Sequence, residues 1–221
     1  MIECWGGRRF ELAADSTALL VIDMQRDFLE PDGMAAVEGE DITLLRAVVP
    51  TVADITAATR RHGIPVIHSR EGYAPDLSDV TAMKAERGSV GNRGPLGRFL
   101  IRGEPGHDFA PGMEPASGEL VVDKPGFSAF YRTDLESHLR SAGIDRLIIC
   151  GITTQCCVHS TLRDAVDRGF YCLTVADACA AIDPAVHAAT LRIIQAEDHL
   201  FGWIADSPAV LAAFAGMRNE E

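Results

Sequence analysis

Two adjacent cysteines, Cys156 and Cys157, stand in the run Ile148-Ile149-Cys150-Gly151-Ile152-Thr153-Thr154-Gln155-Cys156-Cys157-Val158-His159-Ser160-Thr161. The run starts as an apolar strand, breaks at Gly151, crosses a small polar turn and restarts as a helix. A thiol at a helix N-terminus feels the positive end of the helix dipole and the free N–H groups of the first turn, which favours thiolate. The same N–H groups can hold a developing oxyanion. The stretch reads as a nucleophile turn or as a corner with two buried cysteines. Two more groups point the same way. Asp23 ends the apolar run Thr17-Ala18-Leu19-Leu20-Val21-Ile22, and Lys124 ends Leu120-Val121-Val122-Asp123. A carboxylate can take a thiol proton and return it to a leaving amine, while an ammonium stabilises developing negative charge. Taken singly, Asp23 also reads as a helix cap, Lys124 as a surface lysine and the cysteines as core.

What must bring these groups together is a parallel sheet, whose carboxyl ends share one edge. Short apolar runs at 17–22, 64–68, 120–124, 146–150, 171–175 and 200–204 read as strands. Helices are expected over 41–62, with Pro50 opening the main part, and over 133–142, with Thr133 and Glu136 forming a capping box. Further helices are expected over 158–168, 184–196 and 208–215. The alternation predicts a doubly wound α/β fold, with a mostly parallel six-stranded sheet and helices on both faces, in a single domain spanning 1–221. Residues 1–15 form a polar lead-in with Trp5 and Phe10 as anchors. Residues 70–118 are rich in Gly and Pro with little periodicity. They read as a lid or subunit contact, or else as a loose surface loop. Their glycines match neither a dinucleotide-binding nor a phosphate-binding loop.

The 221 residues are 47% hydrophobic and 24% charged, with a net charge of -12. That charge disfavours nucleic acid and anionic membrane as partners. No run is long and apolar enough to span a bilayer, and the first 16 residues lack a signal core, so a cytoplasmic location is expected. Six cysteines without a CxxC pair form neither a disulfide framework nor a zinc site.

Leu20-Val21-Ile22-Asp23-Met24-Gln25-Arg26-Asp27-Phe28, Asp123-Lys124-Pro125-Gly126 and the cysteine run from Gly151 to Thr161 resemble, in order and spacing, the isochorismatase-like cysteine hydrolases. That superfamily includes nicotinamidases and the N-carbamoylsarcosine, ureidoacrylate and biuret amidohydrolases. The resemblance implies an isochorismatase-like fold and a triad in which Cys157, directly before Val, is the nucleophile. Asp23 is then the general base and acid and Lys124 the third member. It also implies a cis Ile152–Thr153 peptide, with the Thr153 and Cys157 N–H groups forming the oxyanion hole. The segment from His68 to Asp76 lacks the Asp-x-His of the nicotinamidase metal site, so neither metal nor cofactor is expected. The cysteine favours amide over vinyl-ether chemistry. Phe28 and Phe127 are expected to wall the pocket, Gln25 to bind substrate or steady its turn, and Arg70 to bind a carboxylate or carbonyl, or to pair with a lid acid.

Arg70-Glu71-Gly72, Pro75-Asp76-Leu77 and Arg102-Gly103-Glu104-Pro105-Gly106 look like biuret amidohydrolases, and Phe201-Gly202-Trp203 like ureidoacrylate enzymes. Phe127 replaces a second lysine of the biuret group, and Glu197 stands near its substrate-binding glutamine. The expected activity is hydrolysis of a C–N bond in a small ureido or carboxamide compound, with ammonia release through a thioester. The alternatives are a vinyl-ether hydrolase, and a non-catalytic or thiol-redox relative, the latter suggested by the adjacent Cys156 and Cys157. The resemblance also implies a homo-oligomer, a dimer or tetramer.

Overall fold

The computed structural model describes residues 1–217. Six strands form one all-parallel sheet: β1 (Thr17–Ile22), β2 (Val66–Glu71), β3 (Leu120–Lys124), β4 (Arg146–Ile152), β5 (Tyr171–Ala180) and β6 (Trp203–Ala205). Their spatial order is β6-β5-β4-β1-β2-β3. The chain therefore builds outward from β1 in one direction, returns to β1, and builds outward in the other. The crevice between the ends of β1 and β4 is the topological switch point, where open α/β sheets bind ligands. Asp23 and the cysteine turn emerge there.

All six residues of β1 are buried. Leu19 and Val21 enter the core on one face, and Ala18, Leu20 and Ile22 the core on the other. Burial on both faces is why the run is continuously apolar. On the first face lie α1 (Val49–Arg61) and the C-terminal helix α5 (Ser207–Ala215), through Val52, Ile55, Val210 and Phe214. On the second lie α2 (Leu135–Ser141), α3 (His159–Asp167) and α4 (Pro184–His199), through Leu139, Leu162, Leu191 and Ile194.

Several boundaries differ from the sequence reading. The helix expected over 41–62 is two, Thr43–Ala47 and α1, with Pro50 in the first turn of the second. β2 runs on to Glu71 because Ser69 pairs with Ile22 and Glu71 with Lys124, so polar residues are carried inward by backbone bonds on both sides. β5 has ten residues rather than five, its ladder resuming after an irregularity at Gly151↔Cys179. The last strand starts at Trp203, not 200, because Glu197, Asp198 and His199 adopt left-handed backbone and end the regular part of α4. No capping box forms at α2. Thr133 Oγ1 donates to the Ala129 carbonyl, and Glu136 pairs with Arg168 and Arg140. The lead-in is a hairpin, Ile2–Cys4 with Arg8–Phe10, whose Ile2 and Phe10 are buried.

The excursion after β2 is ordered. It holds a short helix, Ala82–Arg87, a hairpin and a 3-10 turn, Pro105–His107. Tyr73, Leu100 and Ile101 form its own small core, with Phe28 and Met34 packed against it. Buried Asp27 fastens it down, accepting from the Leu100 N–H at 2.8 Å and the Met34 N–H at 3.3 Å. No helix among the described residues is long and apolar enough to cross a membrane.

Candidate active site

Asp23 follows the last residue of β1 with a left-handed φ of 51° and is fully buried. Its Oδ1 accepts from Ser69 Oγ at 2.6 Å, and its Oδ2 lies 2.7 Å from Lys124 Nζ. Lys124 ends β3 and is also fully buried. Its Nζ donates to the Gly126 carbonyl at 2.9 Å and lies 3.9 Å from Glu71 Oε2. Burial acts to lower the Lys124 pKa, but the negative charges around it, Asp23 first, more than reverse this and hold it charged. For Asp23, burial dominates and raises the carboxyl above the ordinary range, although Lys124 pulls the other way. That makes Asp23 a stronger proton acceptor than a surface aspartate.

β4 delivers the cysteines. The close approach of β4 to β1 explains Gly151: its φ is 113°, and a Cβ there would sit 2.1 Å from the Ile22 carbonyl oxygen. The Ile152–Thr153 peptide is cis. Thr154–Val158 then form a π-turn that runs directly into α3. Thr154 Oγ1 meets His187 Nδ1 of α4 at 2.8 Å, which ties the turn to the neighbouring helix. Cys157 is buried, whereas Cys156 is half-buried.

The expectation of a resting thiolate needs correction. The Cys157 thiol lies well above its ordinary value: contact with Cys156 and burial raise it, Lys124 opposes, and the Asp23 and Glu71 carboxylates raise it further. Its Sγ donates to Glu71 Oε2 at 3.5 Å. The helix terminus and Lys124 are present, but the contact with Cys156 and burial outweigh them.

Cys156 and Cys157 wall a cavity of about 200 Å³, together with Phe28, Phe127, Ile152 and Thr153; Met34, Leu100 and Glu71 complete it. Such a volume takes a small molecule. A larger cavity of about 350 Å³ lies at the amino ends of β2 and β3, near Pro65, Leu120 and Ile144, and its lining holds no cysteine or lysine.

The other expected substrate contacts lie elsewhere. Gln25 is buried and fully engaged: its Oε1 accepts from the Glu71 N–H at 2.8 Å, and its Nε2 donates to the Glu71 and His107 carbonyls at 3.0 Å. It steadies the turn. Arg70 alternates with Glu71 along β2 and points to the opposite face, against Asp123, Asp108 and the ring of Phe109. Glu197 is exposed on the kinked end of α4 and does not line the cavity.

Glu71, Ser69, Tyr73 and Lys84 are the polar neighbours that the sequence reading missed. Glu71 is buried, and its Oε1 accepts from Tyr73 Oη at 2.6 Å and Lys84 Nζ at 2.7 Å. Burial would raise its pKa, but Lys124, Lys84 and these bonds bring it below the ordinary value. Lys84 comes from the short helix of the excursion and caps the Phe127 ring at 3.9 Å from its centroid. The period of two along β2 would have found Ser69 and Glu71 had the strand been carried past His68. Nothing local in the sequence announces Lys84.

Asp23, Glu71 and Cys157 bring three potential metal-ligand atoms within 4.8 Å of one another. Lys124 already supplies a positive charge at that point, 2.7 Å from Asp23. The arrangement therefore suits proton transfer and nucleophilic attack better than cation binding.

The comparisons with known proteins agree with this fold. A family model described as the isochorismatase domain matches residues 17–209. The ureidoacrylate amidohydrolase RutB of Methylorubrum extorquens is 34% identical over 215 residues, covering 91% of this chain and 84% of its own length. A cysteine hydrolase from Pseudomonas syringae superposes with a TM-score of 0.82 at 27% identity, covering 94% of this chain and 96% of that one. The N-carbamoylsarcosine amidase of Thermoplasma acidophilum superposes with a TM-score of 0.67 at 25% identity, covering 87% and 96%.

Proposed function

The chain belongs to the isochorismatase family of hydrolases, and on that premise we propose that it is a cysteine-dependent amidohydrolase acting on a small ureido or carboxamide compound. The observation that carries this reading is the fully buried Asp23–Lys124 pair, 2.7 Å apart, beside a buried thiol that opens on a small-molecule cavity. Similarity to a ureidoacrylate amidohydrolase and an N-carbamoylsarcosine amidase supports the substrate class.

Asp23 accepts the Cys157 proton as Sγ attacks the carbonyl carbon. The carbonyl π electrons move to oxygen, and the backbone N–H groups of Thr153 and Cys157 receive the oxyanion. A donor of this kind contributes about 3 kcal/mol to the transition state. As the C–N bond breaks, nitrogen keeps the bonding pair, takes the proton from Asp23 and leaves as ammonia. Water then gives a proton to Asp23 and attacks the thioester, releasing the acid and restoring the thiol. Lys124 keeps Asp23 in place and offsets the negative charge of each intermediate. Phe28 and Phe127 exclude bulk water, and residues 72–119 close the pocket from above. We place the chain as a single domain that works as a homo-oligomer in the cytoplasm, with no metal or cofactor.

Ammonia release from biuret, triuret, ureidoacrylate, N-carbamoylsarcosine, nicotinamide and maleamate tests the proposal, with Cys157→Ala and Cys156→Ala beside wild type. Release from one ureido compound, lost only with Cys157→Ala, is the expected result. Loss only with Cys156→Ala moves the nucleophile by one residue. A wild-type protein silent on every compound overturns the proposal.

A further inference from the structure

Glu71 stands beside the nucleophile although the Asp–Lys–Cys arrangement does not require it. Its two oxygens have different surroundings. Oε1 is engaged from outside by Tyr73 Oη and Lys84 Nζ, at 2.6 and 2.7 Å. Oε2 faces Cys157, whose S–H donates to it at 3.5 Å, and Lys124 is more distant at 3.9 Å. The carboxylate is thus fixed on one side and turned toward the reacting sulfur on the other.

Consider what happens to Oε2 when chemistry begins. Once the thiol proton leaves and Sγ bonds to carbon, the S–H donor no longer exists. A buried, charged acceptor then lacks a donor, which is costly unless another replaces it. The atoms attached to the carbon on Sγ are those within hydrogen-bond reach. An oxyanion or ester oxygen there has no proton to offer, and meets a negative charge. An N–H does have one, and its bond to a carboxylate is of the strong, charge-assisted kind.

We infer that Glu71 is a further catalytic residue: its Oε2 accepts an N–H of the nitrogen on the carbon that Cys157 attacks. The site thereby selects acyl groups bearing free N–H, primary carboxamides and carbamoyl NH₂ groups, over esters and carboxylates of the same shape. The inference rests on Cys157 as nucleophile. Glu71 itself neither gains nor loses a covalent bond. Sites that hydrogen-bond an N–H discriminate strongly against analogues lacking it, because their own polar group is left unpaired. The shape of the cavity does not supply this choice, since its walls are mainly apolar side chains such as Phe28, Met34, Leu100 and Phe127.

Iodoacetamide and methyl iodoacetate test this without knowledge of the natural substrate. Both are uncharged, alike in size and react at the same sulfur through their CH₂, but only the amide brings an N–H beside the attacked carbon. Alkylation of Cys157 is followed by peptide mass spectrometry in wild type and Glu71→Gln, with glutathione as the free-thiol reference. Wild type should prefer iodoacetamide by about tenfold beyond glutathione, and Glu71→Gln should lose that preference. In parallel, kcat/KM for ammonia release should fall about a hundredfold in Glu71→Gln. A purely structural Glu71 would change both alkylation rates together, and that result overturns the inference. So does a wild-type preference equal to that of glutathione, a reading that stands even if Glu71→Gln does not fold. If wild type releases no ammonia from any compound, the proposed function fails, while the alkylation preference still decides the role of Glu71.

Discussion

Replacing Lys124 by methionine removes the only ammonium in contact with Asp23 among the described residues, and keeps most of the side-chain volume. At an effective dielectric of about 20, Coulomb attraction is about 6 kcal/mol at the 2.7 Å Asp23 contact and about 4 kcal/mol at the 3.9 Å Glu71 contact. Desolvating the lysine offsets several kcal/mol of this, so the net loss on truncation is about 3–5 kcal/mol. In a chain of this size that lowers Tm by about 6–20 °C. The loss falls chiefly on Asp23, which keeps only Ser69, whereas Glu71 keeps Tyr73 and Lys84. The pH dependence follows from the direction of the Asp23 shift. Its folded pKa is already raised by burial, and losing Lys124 raises it further. A carboxyl with a raised folded pKa binds the extra proton in the folded state, so stability falls as pH rises from the unfolded value through the folded one. The deficit of Lys124→Met relative to wild type should therefore be smaller at pH 5 than at pH 8. The double variant Asp23→Asn/Lys124→Met, with no orphan charge at position 23, should regain at least about half of the loss. Thermal unfolding by circular dichroism at the two pH values is the assay. A single variant melting within about 2 °C of wild type at pH 8, or a deficit that does not change with pH, refutes the reasoning.

Asp23→Asn should lower kcat/KM for ammonia release by about 10³-fold with little change in KM, because it removes the proton acceptor and leaves the cavity walls in place. Gln25→Ala should cost about 2–3 kcal/mol in urea unfolding, since three buried hydrogen bonds to the backbone of Glu71 and His107 are lost. Gly151→Ala places a Cβ 2.1 Å from the Ile22 carbonyl oxygen at a φ of 113°, and should destabilise by about 3 kcal/mol or more. A denaturation midpoint near wild type for that variant would contradict the packing described between β1 and β4.

The sheet was legible because burial on both faces leaves a strong signature, as in Thr17–Ile22. The meeting of Asp23, Lys124 and the cysteine turn was legible because parallel strands put their carboxyl ends on one edge. Boundaries failed where backbone pairing carried polar residues inward. Ending β2 at His68 hid Ser69 and Glu71; of the two readings of Arg70, its parity sends it to the other face, where it pairs with Asp108 of the excursion as the lid-acid reading has it. Glu197 was misplaced because a helical reading of α4 does not foresee the left-handed turn at 197–199. Lys84 reaches the site only through tertiary packing, for its helix buries no residue of its own and shows no apolar stripe.

The helix Ala82–Arg87 holds to the rest of the molecule largely through one polar side chain, Lys84, that touches Glu71, Tyr73 and Phe127. The carboxyl edge of the sheet and the turn after β4 supply Asp23, Lys124 and Cys157, and the excursion supplies Leu100 to the cavity wall and Lys84 to Glu71. The sheet edge that carries Asp23, Glu71 and Lys124 and the upper wall of the cavity are thus written on separate parts of the chain. A descendant could rewrite residues 80–90 and reshape that upper wall while the strands beneath stay as they are. A rigid floor beneath one lightly tethered helix gives the architecture room to diversify without refolding.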